Sequence, residues 1–274
     1  MNRDKVTLTQ EKETLLIPLY SKAAESRRAH PILVDERAQA ILAQIDYDWS
    51  RLRVKAGTRI MLAMRAKKLD SCTRDYLAQH DHALVLHLGC GLDSRVVRVA
   101  HPQAHWYDLD YPDVITLRRQ FYQEHETYHM IGSSVLDFGW MDTIVEQGPA
   151  MIVAEGLLMY LAEAEVKALL LKLHERFQPF QIAFDAFSVA VARRAGRIPS
   201  IKQTGAQVKW GIDQASEIEQ WASGIHLIEE WSFTESEDLD KLSLGYQLLF
   251  KAMGHIRAAR TAHRILRYQV GSPC

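Results

Sequence analysis

Residues 84–110 read LVLHLGCGLDSRVVRVAHPQAHWYDLD. Leu84, Val85, Leu86 and Leu88 form a short apolar run that leads into Gly89-Cys90-Gly91. A helical stretch follows, and a second short run, His105-Trp106-Tyr107, ends in Asp108-Leu109-Asp110. The order is strand, glycine turn, helix, strand, acid. A buried parallel strand delivers the chain to a turn where a side chain would block a ligand. The helix after the turn points its positive end at that ligand. About 20 residues further on, a carboxylate at the tip of the second strand is placed to accept hydrogen bonds from ribose hydroxyls. The stretch predicts a nucleoside-containing cofactor.

The flanking sequence extends the same alternation. Pro112 suits a first helical turn and opens a helix to about Glu124. A third strand falls near 128–134, a short helix follows Asp137, and a fourth strand, Ala150 to Ala154, ends at Glu155-Gly156. Residues 163–177 place Val166, Leu169, Leu170, Leu173 and Phe177 on one helical stripe. A fifth strand, Gln181 to Asp185, comes next. This repeating order implies a parallel, doubly wound sheet. Residues 187–224 break the rhythm. They are basic and weakly periodic, end in a helix at 213–222, and read as an excursion over the site. A strand at 225–230, a helical region at 235–262 and a strand at 264–270 bring the count to seven, the last two being placed to pair as an antiparallel edge.

Upstream, residues 7–25 read as a helix broken at Pro18, Asp35 as the N-cap of a helix to about Ile45, and 57–80 as a third helix. The expected fold is α/β and Rossmann-like, with a seven-stranded, mostly parallel sheet. Residues 1–80 form a helical cap within the same domain, 81–274 the core, and 187–224 a lid or acceptor insertion.

Composition narrows the function. The 274 residues are 47% hydrophobic and 24% charged, enough for one large α/β core. A net charge of -1 gives no reason to expect a nucleic-acid partner. Cys72, Cys90 and Cys274 form no C-x-x-C pair and suit a reducing cytoplasm. No signal-like segment opens the chain, and no run approaches the ~18 apolar residues of a membrane span.

A nicotinamide or flavin site would want G-x-G-x-x-G, but Ser94 stands at the third glycine position. That glycine lets a helix pack tightly over a pyrophosphate, so its absence weakens the dinucleotide reading. The segments LHLGCGLDSRVVRV, WYDLDYPDVITLRR, SVLDFGW and AEGLLMYL occur together and in order, with TLLIPLYSKAAES, IDYDW and MRAKKLD before them and WGI and EEWSF after. In this the chain resembles the leucine carboxyl methyltransferase superfamily, and within it the bacterial TcmP-like O-methyltransferases associated with polyketide biosynthesis. The resemblance implies a class I methyltransferase fold. It also implies S-adenosyl-L-methionine as cofactor, S-adenosyl-L-homocysteine as product, and methyl transfer to a carboxylate or hydroxyl of a small polyketide-like or aromatic molecule.

Carried over by position, the resemblance implies that Arg65 clamps the methionine carboxylate, a task suited to a guanidinium fork. It implies that Gly89 and Gly91 admit the methionine end and that Asp110 holds the ribose. It implies that Ser134 and Val135 lie beside the adenine, that Glu155 contacts the cofactor and faces the reacting end, and that Lys22 adds a basic contact. Ser134 stands where aspartate is usual in the leucine carboxyl branch, which leaves Asp137 as the alternative partner of the adenine. A carboxylate acceptor is already ionised at neutral pH and needs no catalytic base. A phenol would gain from one, and no histidine can be placed for that role from sequence. Tyr160 is a candidate acceptor-pocket residue. The alternatives are a non-catalytic module that binds S-adenosylmethionine and a nicotinamide-dependent oxidoreductase. His125-Glu126-Thr127-Tyr128-His129 spells H-E-x-x-H, but it falls where a helix gives way to a strand. Zinc chemistry needs both histidines on one helical face, so no metal is expected.

Overall fold

The structure is a computed structural model that describes residues 15–52, 54–197 and 206–271. Seven strands form one sheet among these residues: β1 (Leu84–Leu88), β2 (His105–Asp110), β3 (Tyr128–Gly132), β4 (Ala150–Ala154), β5 (Phe180–Phe187), β6 (Ile225–Ser232) and β7 (His263–Val270). Their order is β3-β2-β1-β4-β5-β7-β6. β1 to β5 pair in parallel, while β7 runs antiparallel to both of its neighbours, β5 and β6. The mixed, mostly parallel sheet is the one expected. The reversed strand sits one place in from the edge, and β6 is outermost.

Alternation along the strands supplies both faces. Leu84, Leu86 and Leu88 of β1 and Ile152 of β4 pack with Val166, Leu169, Leu170 and Leu173 of α6 (Glu163–Arg176). Val85, Met151 and Val153 point the other way, toward Leu16, Leu19, Leu69, Cys72 and Tyr76. Those residues belong to α1 (Leu16–Glu25) and α3 (Ala56–Leu77). Burying side chains of this kind stabilises by about 1.5–3 kcal/mol each. α2 (Glu36–Gln44) packs on α1, and α3 crosses β4, β5 and β7. Asp35 caps α2 by accepting from the Ala38 N–H at 2.8 Å.

Several expectations shift in the structure. Pro18 does not break the first helix. It is the third residue of α1, where a missing N–H leaves no intrahelical bond unmade; residues 7–14 of the expected helix lie outside the described residues. The helix from Pro112 (α5, Pro112–Arg118) stops well short of Glu124. The expected helix at 213–222 is a 3-10 turn, Ala215–Gln220. The region 235–262 is two 3-10 turns followed by α8 (Leu244–Gly254) and a short helical turn, Arg257–Arg260. The Ser232 and Ser236 hydroxyls accept backbone N–H bonds from Thr234 and Asp238 and restart the chain at each point. His125 lies in a turn and His129 in β3, so H-E-x-x-H is not on a helix. No helix among the described residues is long and apolar enough to cross a membrane.

Candidate active site

A cavity of about 890 Å³ opens at the C-terminal ends of the parallel strands, where open α/β sheets bind their ligands. Lys22, Arg65, Gly89, Gly91, Asp110, Val135, Glu155 and Tyr160 all line it. Ser134 does not. It turns its hydroxyl toward the Leu136 N–H (3.3 Å), and Ser133 and Leu136 take its place in the wall. Asp137 is exposed and also outside the wall.

The glycine turn needs its glycines. Gly89 has φ +64° and Gly91 φ +51°, left-handed conformations that L side chains avoid. A Cβ on Gly89 would also sit 3.0 Å from the Leu157 side chain. Asp110, at the tip of β2, accepts from the Gly91 N–H and the Tyr111 N–H, both at 2.7 Å, which ties the acid to the turn. Burial raises the Asp110 carboxyl above its ordinary value, against the pull of those two bonds and of Arg118.

Arg65 reaches from α3 to the other side of the cavity. Nη1 donates to Asp185 at 2.8 Å and Nη2 to Glu155 at 3.0 Å, while the buried Nε has no hydrogen-bond partner. Burial opposes the charge on Arg65, and the two carboxylates more than restore it. Gly156, at φ +65°, walls the guanidinium from behind; a Cβ there would stand 3.3 Å from both Nη atoms. Glu155 has no free oxygen. One oxygen meets Arg65 and Lys22 (3.2 Å), and the other meets Arg95 (2.5 Å). Burial would raise its carboxyl, but Lys22, Arg65 and Arg95 together hold it well below the usual range. Lys22 also contacts Asp93, and burial lowers its amine to about 8 against the pull of Glu155.

Behind the turn runs a chain of buried polar groups, one of which, His87, also lines the cavity. Arg95 donates to Asp70 (2.8 Å) and to His87 Nε2 (2.9 Å), while His87 Nδ1 meets Asp108 (3.1 Å). Burial, aided by Arg95 and Arg118, lowers His87 to about 4 despite Asp108. The ring is therefore neutral, with the proton on Nδ1. Asp108 also accepts from Trp106 (2.8 Å), Arg118 (2.5 Å) and Tyr128 (2.7 Å). Arg118 in turn donates to the Gly91 carbonyl at 3.0 Å, so this network sets the height of the turn. Burying such groups is tolerated only when each is partnered. Asp93 and Arg95 do not pair through their side chains; Asp93 accepts the Arg95 backbone N–H at 2.6 Å.

Two side chains at the site were not singled out from the sequence. Asp185, late in β5, accepts at Oδ2 from Arg65 and from His263 Nε2 (2.8 Å each), and at Oδ1 from the Gly156 N–H (2.6 Å). Burial would raise its carboxyl, but Arg65 and these hydrogen bonds hold it down at about 2. An acid within the apolar run Ile182-Ala183-Phe184-Asp185-Ala186-Phe187 was a visible signal. His263, the first residue of β7, also lines the cavity. No local pattern marks it.

His105, His129 and Glu146 place ligand atoms within 4.8 Å of one another, and none of them lines the cavity. His105 and Glu146 are 3.3 Å apart, and Tyr107 donates to the other Glu146 oxygen. The cluster sits beside β2 and β3, away from the cavity.

The donors and cradle suit an elongated ligand with an anionic group at Arg65 Nε and a diol at Asp110. The family model described as "Leucine carboxyl methyltransferase" matches residues 16–174. The chain is 38% identical over 264 residues to the tetracenomycin polyketide synthesis O-methyltransferase TcmP of Streptomyces glaucescens, covering 96% of this chain and 98% of that one. It is 29% identical over 248 residues to the S-adenosyl-L-methionine-dependent methyltransferase dpfgK of Gibberella zeae, covering 82% and 83%. Among solved structures, the fold is similar to a putative methyltransferase from Thermobifida fusca (TM-score 0.56, 17% identity, 92% and 94% covered). It is also similar to a DUF574 family protein from Streptomyces avermitilis (TM-score 0.57, 14% identity, 95% and 99% covered).

Proposed function

The chain belongs to the leucine carboxyl methyltransferase family, and on that premise we propose that it transfers a methyl group from S-adenosylmethionine to an oxygen of a small molecule held in the cavity. The observation that carries this reading is the arrangement of Arg65, the glycine turn and Asp110 around one cavity. Arg65, with a buried and unpartnered Nε, suits the methionine carboxylate. Gly89 and Gly91 leave the backbone open to the methionine chain, Asp110 suits the ribose hydroxyls, and Val135 suits the adenine. Glu155 has both oxygens engaged, so its part is to hold Arg65, Lys22 and Arg95 in place.

Bound S-adenosylmethionine supplies a methyl on a cationic sulfur that departs as a neutral thioether, S-adenosylhomocysteine. The protein's contribution is then orientation, close approach and exclusion of water. A carboxylate acceptor arrives ionised, whereas a hydroxyl acceptor has a proton to lose. Ala206, Gln207 and Lys209 stand in the wall, which supports reading the segment after Phe187 as a lid over the acceptor, with the helices before residue 80 as a cap. The name of the Streptomyces glaucescens relative supports a polyketide-like acceptor. The free buried thiols of Cys72 and Cys90 suit a cytoplasmic protein.

Thermal unfolding with S-adenosylmethionine, S-adenosylhomocysteine and NAD tests the reading. A ligand at about 100 times its dissociation constant adds ~2.7 kcal/mol of stability. Both adenosyl ligands should raise Tm in the wild type and fail to do so in Asp110→Ala. A rise with NAD alone, or with none of the three, refutes the cofactor assignment.

A further inference from the structure

The end of the sheet away from the cavity carries a second cluster of chemistry-bearing side chains. His105 opens β2, whose last residue, Asp110, lines the cavity. The two ends of that strand are about 16 Å apart. Side chains alternate along a strand, which puts His105 and Tyr107 on one face. Tyr107 lies opposite His129 of β3 in the ladder, and the two rings stack with centroids 4.7 Å apart. Glu146, in the connection that leads into β4, completes the group. One ligand atom from each of His105, His129 and Glu146 lies within 4.8 Å of the other two.

The contact between His105 and Glu146 is not a hydrogen bond. His105 Nδ1 stands 3.3 Å from Glu146 Oε1, yet this buried nitrogen has no hydrogen-bond partner among the described residues. A nitrogen lone pair that faces a carboxylate oxygen is relieved by a cation between them. Two ligand atoms of a tetrahedral zinc, each about 2.0–2.1 Å from the metal, stand ~3.3–3.4 Å apart, which is the separation found here. The surroundings are those that orient metal ligands. The Tyr107 hydroxyl donates to Glu146 Oε2, which leaves Oε1 to the histidine, and His129 Nε2 lies 3.2 Å from the Glu126 carbonyl. A carbonyl only accepts, so Nε2 carries the proton and Nδ1 keeps the lone pair. Ligating imidazoles commonly give their other N–H to a carbonyl in this way. The His105 and Glu146 side chains are 33% and 24% exposed, so an ion has a path in.

We propose that His105, His129 and Glu146 bind a divalent transition-metal ion of the zinc type, with water in the remaining position. Two imidazoles and one carboxylate suit zinc, whereas calcium and magnesium take oxygen ligands. β3 is the outermost strand on its side of the sheet, with β2 as its one neighbour among the described residues. The ion joins that edge strand to β2 and to the connection before β4. It steadies the base of a strand beyond whose other end Ser133 and Val135 enter the cavity wall. Its role is structural, and it takes no part in methyl transfer. His129 closes the H-E-x-x-H string on which the expectation of no metal rested, but its partners here lie outside that string, so no local motif marks the site.

The test is calorimetric titration of zinc chloride into the chelator-stripped full chain. The wild type should take up one equivalent saturably, and zinc should raise its Tm. Tyr107→Phe removes only the hydroxyl that orients Glu146 and should weaken binding about 10–100-fold. His105→Gln and His129→Gln should weaken it more and lose the rise in Tm, their folding being checked by Tm in metal-free buffer. Cobalt in place of zinc should give the wild type ligand-field bands with no thiolate charge-transfer band. No saturable uptake by the wild type, or uptake unchanged in the histidine variants, overturns the proposal. A thiolate band does so too, because it places the ion on a cysteine. Should the histidine variants fail to fold, unchanged affinity in Tyr107→Phe is the refuting result. None of these outcomes touches the methyl-transfer reading, which stands or falls on cofactor binding at the other end of β2.

Discussion

Replacing Asp185 with asparagine keeps the shape of the side chain and removes its charge. Asp185 is fully buried and serves three donors: the Arg65 guanidinium, His263 Nε2 and the Gly156 N–H. A carboxyl held at about 2 instead of 3.8 carries roughly 2 kcal/mol of stability at neutral pH. Asparagine forfeits that and turns its amide N–H₂ toward at least one of the three donors, leaving an unsatisfied buried group at about 1–3 kcal/mol. The expected loss for Asp185→Asn at pH 7.5 is about 3–5 kcal/mol, the usual range for removing one partner of a buried pair. The sign with pH follows from a folded-state value below the unfolded one. The contribution is complete above the unfolded value near 4 and disappears as pH falls through the folded value near 2. The gap between wild type and variant should therefore be constant from pH 8 to 5 and shrink below about pH 4. Urea unfolding at pH 7.5, 5 and 3.5 measures it. A gap under about 1 kcal/mol at pH 7.5, or one that does not narrow at pH 3.5, would refute the idea that Asp185 anchors Arg65 electrostatically.

Gly89→Ala should cost about 1–2 kcal/mol, because φ +64° is left-handed; its Cβ would also press on Leu157. Calorimetry should show cofactor affinity falling with it, and unchanged affinity would contradict the cradle. Arg118→Met leaves Asp108 buried without its cation and should destabilise by about 3–5 kcal/mol in urea; a loss below 1 kcal/mol would show that the Asp108 network does not support the turn. Burial keeps the Asp110 carboxyl above its ordinary value, so affinity for S-adenosylmethionine should weaken on acidification sooner than an ordinary aspartate would allow. Asp110→Asn should bind weakly and without that pH dependence, and a pH-independent wild type would count against the ribose contact. Burial pushes the Cys72 thiol up to about 11 and the Cys90 thiol well above its ordinary value. Native protein at pH 7.5 should therefore leave both unlabelled by iodoacetamide, as read by peptide mass mapping, and labelling as fast as in urea would contradict their burial.

The parallel half of the sheet was legible because each strand between 84 and 185 is a short apolar run closed by glycine, proline or an acid. Those signals are local and survive without tertiary context. Pro18 misled because proline is tolerated in a first turn and forbidden later, and the start of α1 is set by the packing of Leu16 and Leu19 on the sheet. The stretch 235–262 misled because serine hydroxyls at 232 and 236 offered the backbone partners that a helix would otherwise supply. At the site, Arg65, the glycines and Asp110 sit in recognisable strings. His263 meets Asp185 across 78 residues, through the register of β7 on β5. A pairing of that kind is a property of topology, and no spacing rule encodes it. Ser134 is a related case: it stands one residue from Ser133, which lines the cavity while Ser134 does not, and which side chain after β3 turns inward is not written in the spacing.

The placement of β7 also bears on how the molecule assembles. β7 follows β6 in sequence but lies between β5 and β6 in space, so it must enter a slot flanked by strands that precede it. Until it does, β5 presents an open eight-residue edge carrying Ile182 and Phe184, an aggregation-prone template in a half-folded chain. Hydrogen exchange during refolding should protect β1 and β4 before β5 and β7. His263 arrives with that last insertion, so a chain stalled one step short of the native state would hold the glycine turn and leave Asp185 without its histidine partner.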